Sequence, residues 1–276
     1  GEEEQGLLRD FVDKTKPVDT TAVGDDMQMP RPALLEKAGI MSDSYNQKVT
    51  MVSLTPDVLD FNGYHAMVYR PLPGEKRVEA KYVVIITTRS SGLLLARQEF
   101  SFTIQPFTQQ ELDGAADFMT EALTGDVYWD GIKNKNTDKT KVTSDLYPFA
   151  EICKNEDGTL KYVRGTVNMT FDGIEADDIP GWLDTEKYRC FRSSRPSVIE
   201  NELLRVHQPE YNTTVTLDSV LTYTKYAQYW EKFGINGTEE SKERYKDFAQ
   251  FYKQPIQIDL TVPGTTGQND PNENQT

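Results

Sequence analysis

Two proline-bounded stretches of the chain share one pattern and decide the fold. The first is TPDVLDFNGYHAMVYRP, residues 55–71, and the second is RPSVIENELLRVHQP, residues 195–209. Each has a proline, one polar residue, a Val-Leu or Val-Ile pair, acidic or amide side chains and a closing proline. Proline at a strand edge costs no hydrogen bond of the sheet, and Asn62-Gly63 supplies the positive φ of a tight hairpin. The pattern therefore predicts a β module written twice, with no nucleophile and base of its own.

Further blocks extend the repeat toward the C-terminus. They are RVEAKYVVIIT (77–87) with TVTLDSVLT (214–222), and EFSFTIQP (99–106) with PIQIDLTVP (255–263). These runs are β-branched and aromatic and alternate with period two, which is typical of half-buried antiparallel strands. Aligning Pro56 with Pro196 keeps all blocks in the same order, and such repetition comes first in predicting a fold. We expect a mainly β chain of two tandem β-sandwich domains, residues 1–107 and 108–264.

A helix is predicted where the second domain begins. Thr108 and Glu111 have the spacing of a capping box, in which each side chain accepts a hydrogen bond from a backbone N–H. Apolar residues then recur at helical spacing: they are Leu112, Ala115, Ala116, Met119, Ala122 and Leu123. We expect a helix at 109–123, which Gly125 can end. The polar residues 131–145 predict a long exposed loop.

The two repeats differ between their last two blocks. The first repeat has the short connection TRSSGLLLA, whereas the second has residues 224–253, rich in Tyr, Trp and Phe. The aromatic residues recur at helical spacing in two runs, and Thr238 can cap the second run. This pattern predicts a helical hairpin inserted in the second domain. We expect the hairpin to dock on its own sandwich through Trp230 and Phe248.

Charge and composition exclude some classes of function. A net charge of −14 repels a phosphate backbone, so nucleic acid is not an expected partner, and it disfavours an anionic membrane surface. No apolar run is long enough to span a bilayer. The chain opens without the features of an export signal, so such a signal has been removed or never existed. Residues 265–276 have almost no apolar content, which predicts a flexible tail.

The sequence has few patterns of a catalytic or metal site. Cys153 and Cys190 form either one disulfide or two separate thiols, and they lack metal-ligand spacing, so we expect no cofactor. His65 and His207 fall in strands of the repeat, and no nucleophile motif occurs, so neither is expected to be catalytic. The densest acidic group could hold calcium but is better interpreted as a solvated loop. Its members are Asp172, Glu175, Asp177 and Asp178.

The repeated blocks resemble the atrophied bacterial immunoglobulin-like domain. The stretches YRCFRSSRPSVIENELLRVHQP (188–209) and TVTLDSVLT (214–222) match the family's outline of a polar strand, a serine- and proline-containing turn, a closing proline and long β runs. The helix at 109–123 is similar to the helix that opens such domains in tandem. The usual tryptophan of the polar strand is absent, since Val52 and Phe191 lie near its position. The resemblance implies two tandem immunoglobulin-like sandwiches.

The same resemblance implies an exported protein of the bacterial cell surface or periplasm, including an outer-membrane lipoprotein with a lipid anchor upstream of Gly1. We expect a non-catalytic binding or adhesion module whose partner is a glycan or another surface protein. Two alternatives stay open: accessory domains of a larger polysaccharide-degrading enzyme, and a purely structural spacer. Aromatic rings can stack on a sugar or pack at a protein interface. The candidate ligand contacts are Trp129, Trp182, Tyr226, Tyr229 and Trp230.

Overall fold

A computed structural model describes residues 24–29, 31–37, 39, 41, 43, 45–149, 151–163 and 191–273. The fold is β-rich, and its named strands pair antiparallel in three three-stranded sheets and one two-stranded hairpin. The chain forms two compact units, unit 1 (Gly1–Asp113) and unit 2 (Gly114–Thr276). Among the described helices, none has the length and apolar content needed to cross a membrane.

Unit 1 contains two three-stranded sheets. Its elements in chain order are β1 (Met27–Gln28), α1 (Pro32–Lys37), β2 (Gln47–Ser53), β3 (Leu59–Asn62), β4 (His65–Val68), β5 (Val78–Thr88) and β6 (Leu94–Ile104). Strand β5 lies between β2 and β6 in one sheet, and β4 lies between β1 and β3 in the other. The hairpin of β3 and β4 turns at Gly63, whose φ is +58°. Glycine fits this turn because it adopts positive φ without steric cost.

Both sheets of unit 1 contribute to one hydrophobic core. Tyr82 on β5 is 1% exposed and contacts the rings of Phe61 on β3 and of Phe100 and Phe102 on β6, at centroid distances of 5.6, 5.4 and 6.2 Å. Alternate residues of β5 and β6 are buried, because successive side chains of a strand point to opposite faces. Tyr82 therefore connects the inward faces of the two sheets.

The second half of the chain contains helices and a further sheet. Its elements are α2 (Gln109–Ala122), α3 (Gly125–Ile132), β7 (Glu151–Lys154), β8 (Leu160–Val163), β9 (Phe191–Ser193), β10 (Thr213–Leu221), α4 (Thr224–Tyr229), α5 (Glu239–Arg244) and β11 (Gln254–Val262). Helix α4 continues as the π-helix Trp230–Ile235, and α5 is followed by the 3-10 helix Lys246–Phe251. Strand β10 lies between β9 and β11, and β7 pairs with β8.

The sheet β9–β10–β11 has the strand order of β2–β5–β6. In each sheet the middle strand comes second along the chain, and both neighbours are antiparallel to it. Ser53 lies opposite Tyr82, and Ser193 lies opposite Leu217. Tyr82 and Leu217 therefore hold equivalent positions, and both are buried.

The last strands of the two sheets correspond with a shift of one residue from the sequence alignment. Val78 pairs with Ile104, and Thr213 pairs with Val262. Ile104 thus matches Val262, whereas the alignment through the two closing prolines matches it with Thr261. Burial agrees with the observed register, because Ile104 and Val262 are both buried.

The turn that follows the first strand is built from the same hydrogen bonds in both units. Ser53 Oγ accepts the N–H of Thr55 at 3.1 Å, and Ser193 Oγ accepts the N–H of Arg195 at 3.1 Å. The carbonyl oxygens of Thr55 and Arg195 each accept the N–H four residues later at 3.0 Å. The repeated sequence pattern therefore encodes a turn with one hydrogen-bond arrangement.

An aspartate from an upstream segment contacts the β-paired segment that precedes the closing proline in each unit. Asp26 Oδ1 accepts the N–H of Val68 at 2.7 Å, and Asp145 Oδ1 accepts the N–H of Val206 at 2.8 Å. Val68 lies opposite Leu59, and Val206 lies opposite Ile199, which is the second aliphatic residue of the repeated pattern in each case. The correspondence between the units therefore reaches upstream of the blocks that sequence alignment detects.

Helix α2 begins as the sequence predicts. Thr108 Oγ1 accepts the N–H of Glu111 at 3.1 Å, and Glu111 Oε2 accepts the N–H of Thr108 at 2.8 Å. This pair of bonds confirms the capping box. The helix ends at Ala122, one residue before the predicted end. Met119 is 1% exposed, whereas Leu112 is half-buried.

Glu111 also pairs with the buried Arg70 of unit 1. Arg70 is 5% exposed, its Nη2 lies 3.1 Å from Glu111 Oε2, and its guanidinium donates to the carbonyl oxygens of Gln105 and Pro106. Partial burial raises the pKa of the Glu111 carboxyl. The backbone hydrogen bond from Thr108 and the hydrogen bond and charge of Arg70 lower it by more, so this pKa lies below its ordinary value of 4.5.

We expect the stabilising effect of Glu111 to be lost in acid. Because the pKa is depressed in the folded state, the ionised carboxylate stabilises the fold above its unfolded pKa of about 4.5. That contribution disappears as the pH falls through the lower folded pKa. Thermal unfolding of wild type and Glu111→Gln between neutral and acidic pH tests this. The Tm difference should be largest at neutral pH and shrink in acid, and a difference that is constant with pH would contradict it.

The segment after α2 corrects the expectation of a long exposed loop. Residues 125–132 form helix α3, and part of the polar segment that follows is folded around Asn136, which is 5% exposed. Asn136 Oδ1 accepts the N–H groups of Thr143 and Ser144, and its Nδ2 donates to the carbonyl oxygen of Ser144. The polar composition therefore serves internal hydrogen bonds as well as solvation.

Substitution of glycine by alanine should have opposite effects on stability at two glycines that lie in helices. A Cβ at Gly131 of α3 would lie 2.5 Å from Tyr162 and 2.6 Å from Phe149, whereas a Cβ at Gly114 of α2 has no heavy atom within 4 Å. Gly131→Ala should destabilise the protein by about 1–3 kcal/mol through overpacking. Gly114→Ala should stabilise it by about 0.5–1 kcal/mol, because alanine is the better helix former. Denaturant unfolding measures both, and changes of the same sign would be inconsistent with this packing.

Residues 265–273 are held by hydrogen bonds, which differs from the flexible tail that their composition predicts. The N–H of Asn212 donates to the carbonyl oxygen of Gln268 at 2.9 Å, and Asn212 Oδ1 accepts the N–H of Gly264 at 2.9 Å. The N–H of Thr265 donates to the carbonyl oxygen of Pro209 at 2.9 Å. Backbone hydrogen bonds order this segment without apolar side chains, a contribution that composition does not reveal.

Candidate functional site

The inserted segment of unit 2, residues 224–253 (the insert), folds around its own aromatic core. Two pairs of rings stack across it: Tyr229 with Phe248 at 5.0 Å and 23°, and Phe233 with Tyr245 at 4.4 Å and 17°. Tyr229, Tyr245 and Phe248 are buried, and Phe233 is half-buried. Phe248 is buried against other rings of the insert, so docking on the sandwich through Trp230 and Phe248 stays a prediction.

The insert is attached to the rest of unit 2 at its two ends. The N–H of Tyr223 donates to the carbonyl oxygen of Phe251 at 2.8 Å, so the chain enters and leaves the insert side by side. The Tyr223 ring meets Phe118 of α2 edge-on at 5.9 Å and Tyr226 at 4.8 Å. The N–H of Lys253 donates to Thr222 Oγ1 at 3.0 Å. The insert therefore occupies the connection between β10 and β11.

The turn between the two helical runs is closed by side-chain hydrogen bonds. Thr238 Oγ1 accepts the N–H of Ser241 at 3.1 Å, which confirms the predicted cap of α5. Ser241 Oγ donates to the carbonyl oxygen of Phe233 at 2.6 Å. A Cβ at Gly237 would collide with that carbonyl group, so glycine is needed where the two runs approach.

The π-helical turn before this junction carries the most accessible aromatic candidate of the insert. The N–H of Asn236 donates to the carbonyl oxygen of Glu231 at 3.0 Å, five residues back. A Cβ on Gly234 would come within 2.6 Å of the Trp230 indole, so the indole lies directly on the glycine. Trp230 is half-buried and Ile235 is 50% exposed. We call Trp230, Gly234 and Ile235 the Trp230 platform.

The other aromatic candidates do not offer an exposed ring in the described residues. Trp129 lies in α3 and is 6% exposed, so it does not present the accessible ring that a ligand contact needs. Tyr226 and Tyr229 are 8% and 2% exposed, so neither presents an accessible ring, and both lie in the aromatic core of the insert. Trp182 lies outside the described residues. Trp230 alone combines an aromatic ring with partial exposure among the four described candidates.

The insert carries basic and acidic residues in nearly equal number, in contrast to the net charge of −14 of the whole chain. The Arg244 guanidinium lies 5.3 Å from the Tyr245 ring, and the Lys232 ammonium lies 5.9 Å from the Phe233 ring. The hydrogen bond and charge of Glu243 raise the pKa of Lys246. This mixed charge favours a partner without a large charge of its own.

Within the described part of the chain, no three His, Cys, Asp or Glu residues are grouped so that they could hold a metal ion. His65 Nε2 lies 3.3 Å from Asp26 Oδ2, and the exposed His207 Nε2 lies 2.6 Å from Glu200 Oε2. Both histidines therefore pair with a carboxylate. The Cys153–Cys190 pairing and the acidic group at 172–178 lie outside the described residues.

Comparison with known proteins adds no relative: no protein-family model and no curated protein matches the chain. The candidate site is therefore defined by its geometry alone. Sequence reasoning identified Trp230 but missed the roles of Gly234 and Ile235. The available signal was the Trp-x-x-x-Gly spacing, which places a glycine about one helical turn after the indole.

Proposed function

We propose that the chain is a non-catalytic binding module of an exported bacterial protein, and that the Trp230 platform of its insert binds a glycan. In this proposal two immunoglobulin-like β modules form the scaffold, and the insert of the second module forms the contact surface. The half-buried indole on Gly234 is the observation that carries the proposal. A ring seated on a backbone glycine can present apolar area to the C–H face of a sugar ring.

The scaffold part of the proposal is supported by the correspondence between the units. The strand order, the turn at Ser53 and Ser193, and the aspartate contacts of Asp26 and Asp145 recur in both. Shared hydrogen bonds of this kind favour one module used twice. The resemblance to atrophied bacterial immunoglobulin-like domains adds the expectation of export, to the cell surface or the periplasm.

The insert is an element of unit 2 with no counterpart in unit 1. The corresponding connection of unit 1 runs from Thr88 to Leu94 and contains no helix. Because unit 1 makes this connection with a short loop, a β module of this kind does not need an aromatic core between its last two strands. Structured additions on a rigid scaffold commonly carry binding function, and the insert is such an addition.

A glycan array probed with soluble protein tests the proposal. Trp230→Ala should lose about tenfold or more in affinity for any glycan that the wild type binds, because the stacking area is removed. Tyr147→Ala is the matched control, since Tyr147 is a 43% exposed aromatic residue outside the insert. It should bind like the wild type. Circular dichroism and Tm confirm that both variants are folded.

Two results would contradict the proposal. The first is a wild-type protein that binds no glycan on a broad array, and the second is glycan binding that Trp230→Ala leaves unchanged. If the wild type instead captures a protein partner and Trp230→Ala abolishes that capture, the platform binds a protein and the glycan assignment is wrong.

A further inference from the structure

Unit 1 exposes three large apolar side chains at one end of its sheet β2–β5–β6. Tyr45 is 83% exposed, Leu93 62% and Leu94 57%. Tyr45 lies two residues before the start of β2, and the two leucines follow the turn between β5 and β6. The N–H of Arg89 donates to the carbonyl oxygen of Asn46 at 2.7 Å, which places the two segments side by side. We call Tyr45, Arg89, Leu93 and Leu94 the hairpin tip.

A β-bulge explains why two consecutive leucines face solvent. Ile86 pairs with Ala96 and Thr87 pairs with Leu94, so Leu95 is an extra residue on β6. Leu95 packs against the core of unit 1, while Leu94 stays exposed. Without the bulge, strict alternation would bury every second residue of the run. The bulge therefore allows an apolar tip beside a complete core.

The hairpin tip is held in place by local hydrogen bonds. Thr88 Oγ1 accepts the N–H of Leu93 at 3.0 Å and bonds to Ser91 Oγ at 2.7 Å. On the neighbouring segment, Asp43 Oδ1 accepts the N–H of Tyr45 at 3.1 Å. Preorganised side chains lose little conformational entropy when they bind. The exposed apolar groups are thus positioned before any partner arrives.

The charge at the hairpin tip differs from that of the whole chain. Residues 88–98 contain Arg89 and Arg97 and no acidic residue, and the neighbouring segment adds Asp43 beside Tyr45, although the chain carries a net charge of −14. Arg97 pairs with Glu99 at 3.0 Å, which leaves the exposed Arg89 as the cation of the tip. Charges farther away than about 8–10 Å are largely screened at physiological ionic strength. A neutral surface that also offers phosphate oxygens suits this tip better than a strongly anionic one.

We propose that the hairpin tip inserts into the headgroup and acyl boundary of a neutral phospholipid bilayer. Leu93 and Leu94 enter the apolar boundary, Tyr45 lies at the interface, and Arg89 reaches the lipid phosphates. Aliphatic, tyrosine and arginine side chains have these positions in interfacial proteins. A stable protein interface buries about 800 Å² on each partner, far more than a convex tip with three apolar side chains supplies.

This contact is a site separate from the Trp230 platform. A tip of this size binds weakly by itself, as a single acyl chain does, and becomes strong only with a second membrane signal. It would orient unit 1 on a membrane to which the protein is otherwise held. Failure of glycan binding at Trp230 would leave the membrane proposal unaffected. Failure of vesicle binding at the hairpin tip would likewise leave the glycan proposal unaffected.

Co-sedimentation of the full chain with vesicles tests the proposal. One vesicle set is pure phosphatidylcholine, and the other is equal parts of phosphatidylcholine and phosphatidylglycerol. We expect wild type to pellet with phosphatidylcholine at millimolar lipid. Binding to the anionic vesicles should be weaker at low salt and recover as salt is added, because the net charge of −14 is then screened.

The variants separate insertion from non-specific adhesion. Leu93→Asp with Leu94→Asp should lower the partition coefficient by about tenfold or more. Leu54→Asp, at a 47% exposed leucine of unit 1 outside the hairpin tip, is the matched control and should bind like the wild type. Tyr45→Trp places a tryptophan at the hairpin tip. Brominated lipid should therefore quench the tryptophan fluorescence of this variant more strongly than that of the wild type.

Three results would overturn the proposal. They are a wild-type protein that does not pellet with phosphatidylcholine, binding that requires phosphatidylglycerol, and equal binding of the double-aspartate variant. If the hairpin tip instead mediates a concentration-dependent association between proteins that the double-aspartate variant abolishes, without vesicle binding, then its occupant is a protein.

Discussion

Tyr82→Ala should lower the free energy of unfolding by about 3–5 kcal/mol, which is the usual cost of removing a large buried aromatic ring. Tyr82 is 1% exposed, and its ring contacts Phe61 from one sheet of unit 1 and Phe100 and Phe102 from the other. The substitution would leave a cavity where the two sheets share their core. Chemical denaturation followed by circular dichroism measures the loss.

Two variants control for the chemistry of this change. Tyr82→Phe keeps the ring and its aromatic contacts, so it should retain most of the stability. Tyr45→Ala makes the same truncation at an 83% exposed residue and should change stability by no more than about 0.5 kcal/mol. If Tyr82→Ala costs no more than Tyr45→Ala, the two sheets of unit 1 do not share a core through this ring.

Tyr229→Ala should have a comparably large effect on the insert, about 3–5 kcal/mol if the insert and unit 2 unfold together. Tyr229 is 2% exposed and stacks on Phe248, and its neighbours Phe233 and Tyr245 stack on each other. Short helices are marginal without packing, so the insert depends on this aromatic core. Hydrogen exchange of the insert amides and thermal unfolding together measure the loss.

The comparison for this variant is Tyr252→Ala, a half-buried tyrosine at the end of the same insert. It removes the same side chain outside the stacked pairs and should cost clearly less. Tyr229→Ala should also abolish any binding at the Trp230 platform, because the platform rests on the folded insert. Unchanged exchange rates in the insert would show that the stacked rings do not hold it together.

The features that the sequence predicts well are local or repeated. The capping box of Thr108 and Glu111 needs only residues three apart, and the cap at Thr238 is equally local. The strands are predicted by the period of two in their apolar residues. The repeated turn is predicted by the alignment that matches Pro56 with Pro196. Each of these signals is complete within one short stretch or one alignment.

Other features depend on tertiary context that no local pattern contains. The sequence makes Trp129 a candidate ligand contact, but its burial depends on packing within unit 2. The insert rings face inward because they have each other as partners, so helical spacing alone could not separate core tyrosines from exposed ones. The bulge at Leu95 shifts the strand pairing by one residue, and the π-helical turn at Trp230 adds one residue to a helical turn. Hydrophobic periodicity does not resolve a shift of one residue.

We propose that unit 2 is a complete β module to which the insert is added for binding. Replacement of residues 224–253 by a short loop of serine and glycine, followed by hydrogen exchange across β9, β10 and β11, tests it most directly. We expect the amides paired between these strands to stay protected while glycan binding is lost. Loss of protection throughout this sheet would show the opposite, because the insert would then be part of the core that unit 2 needs to fold.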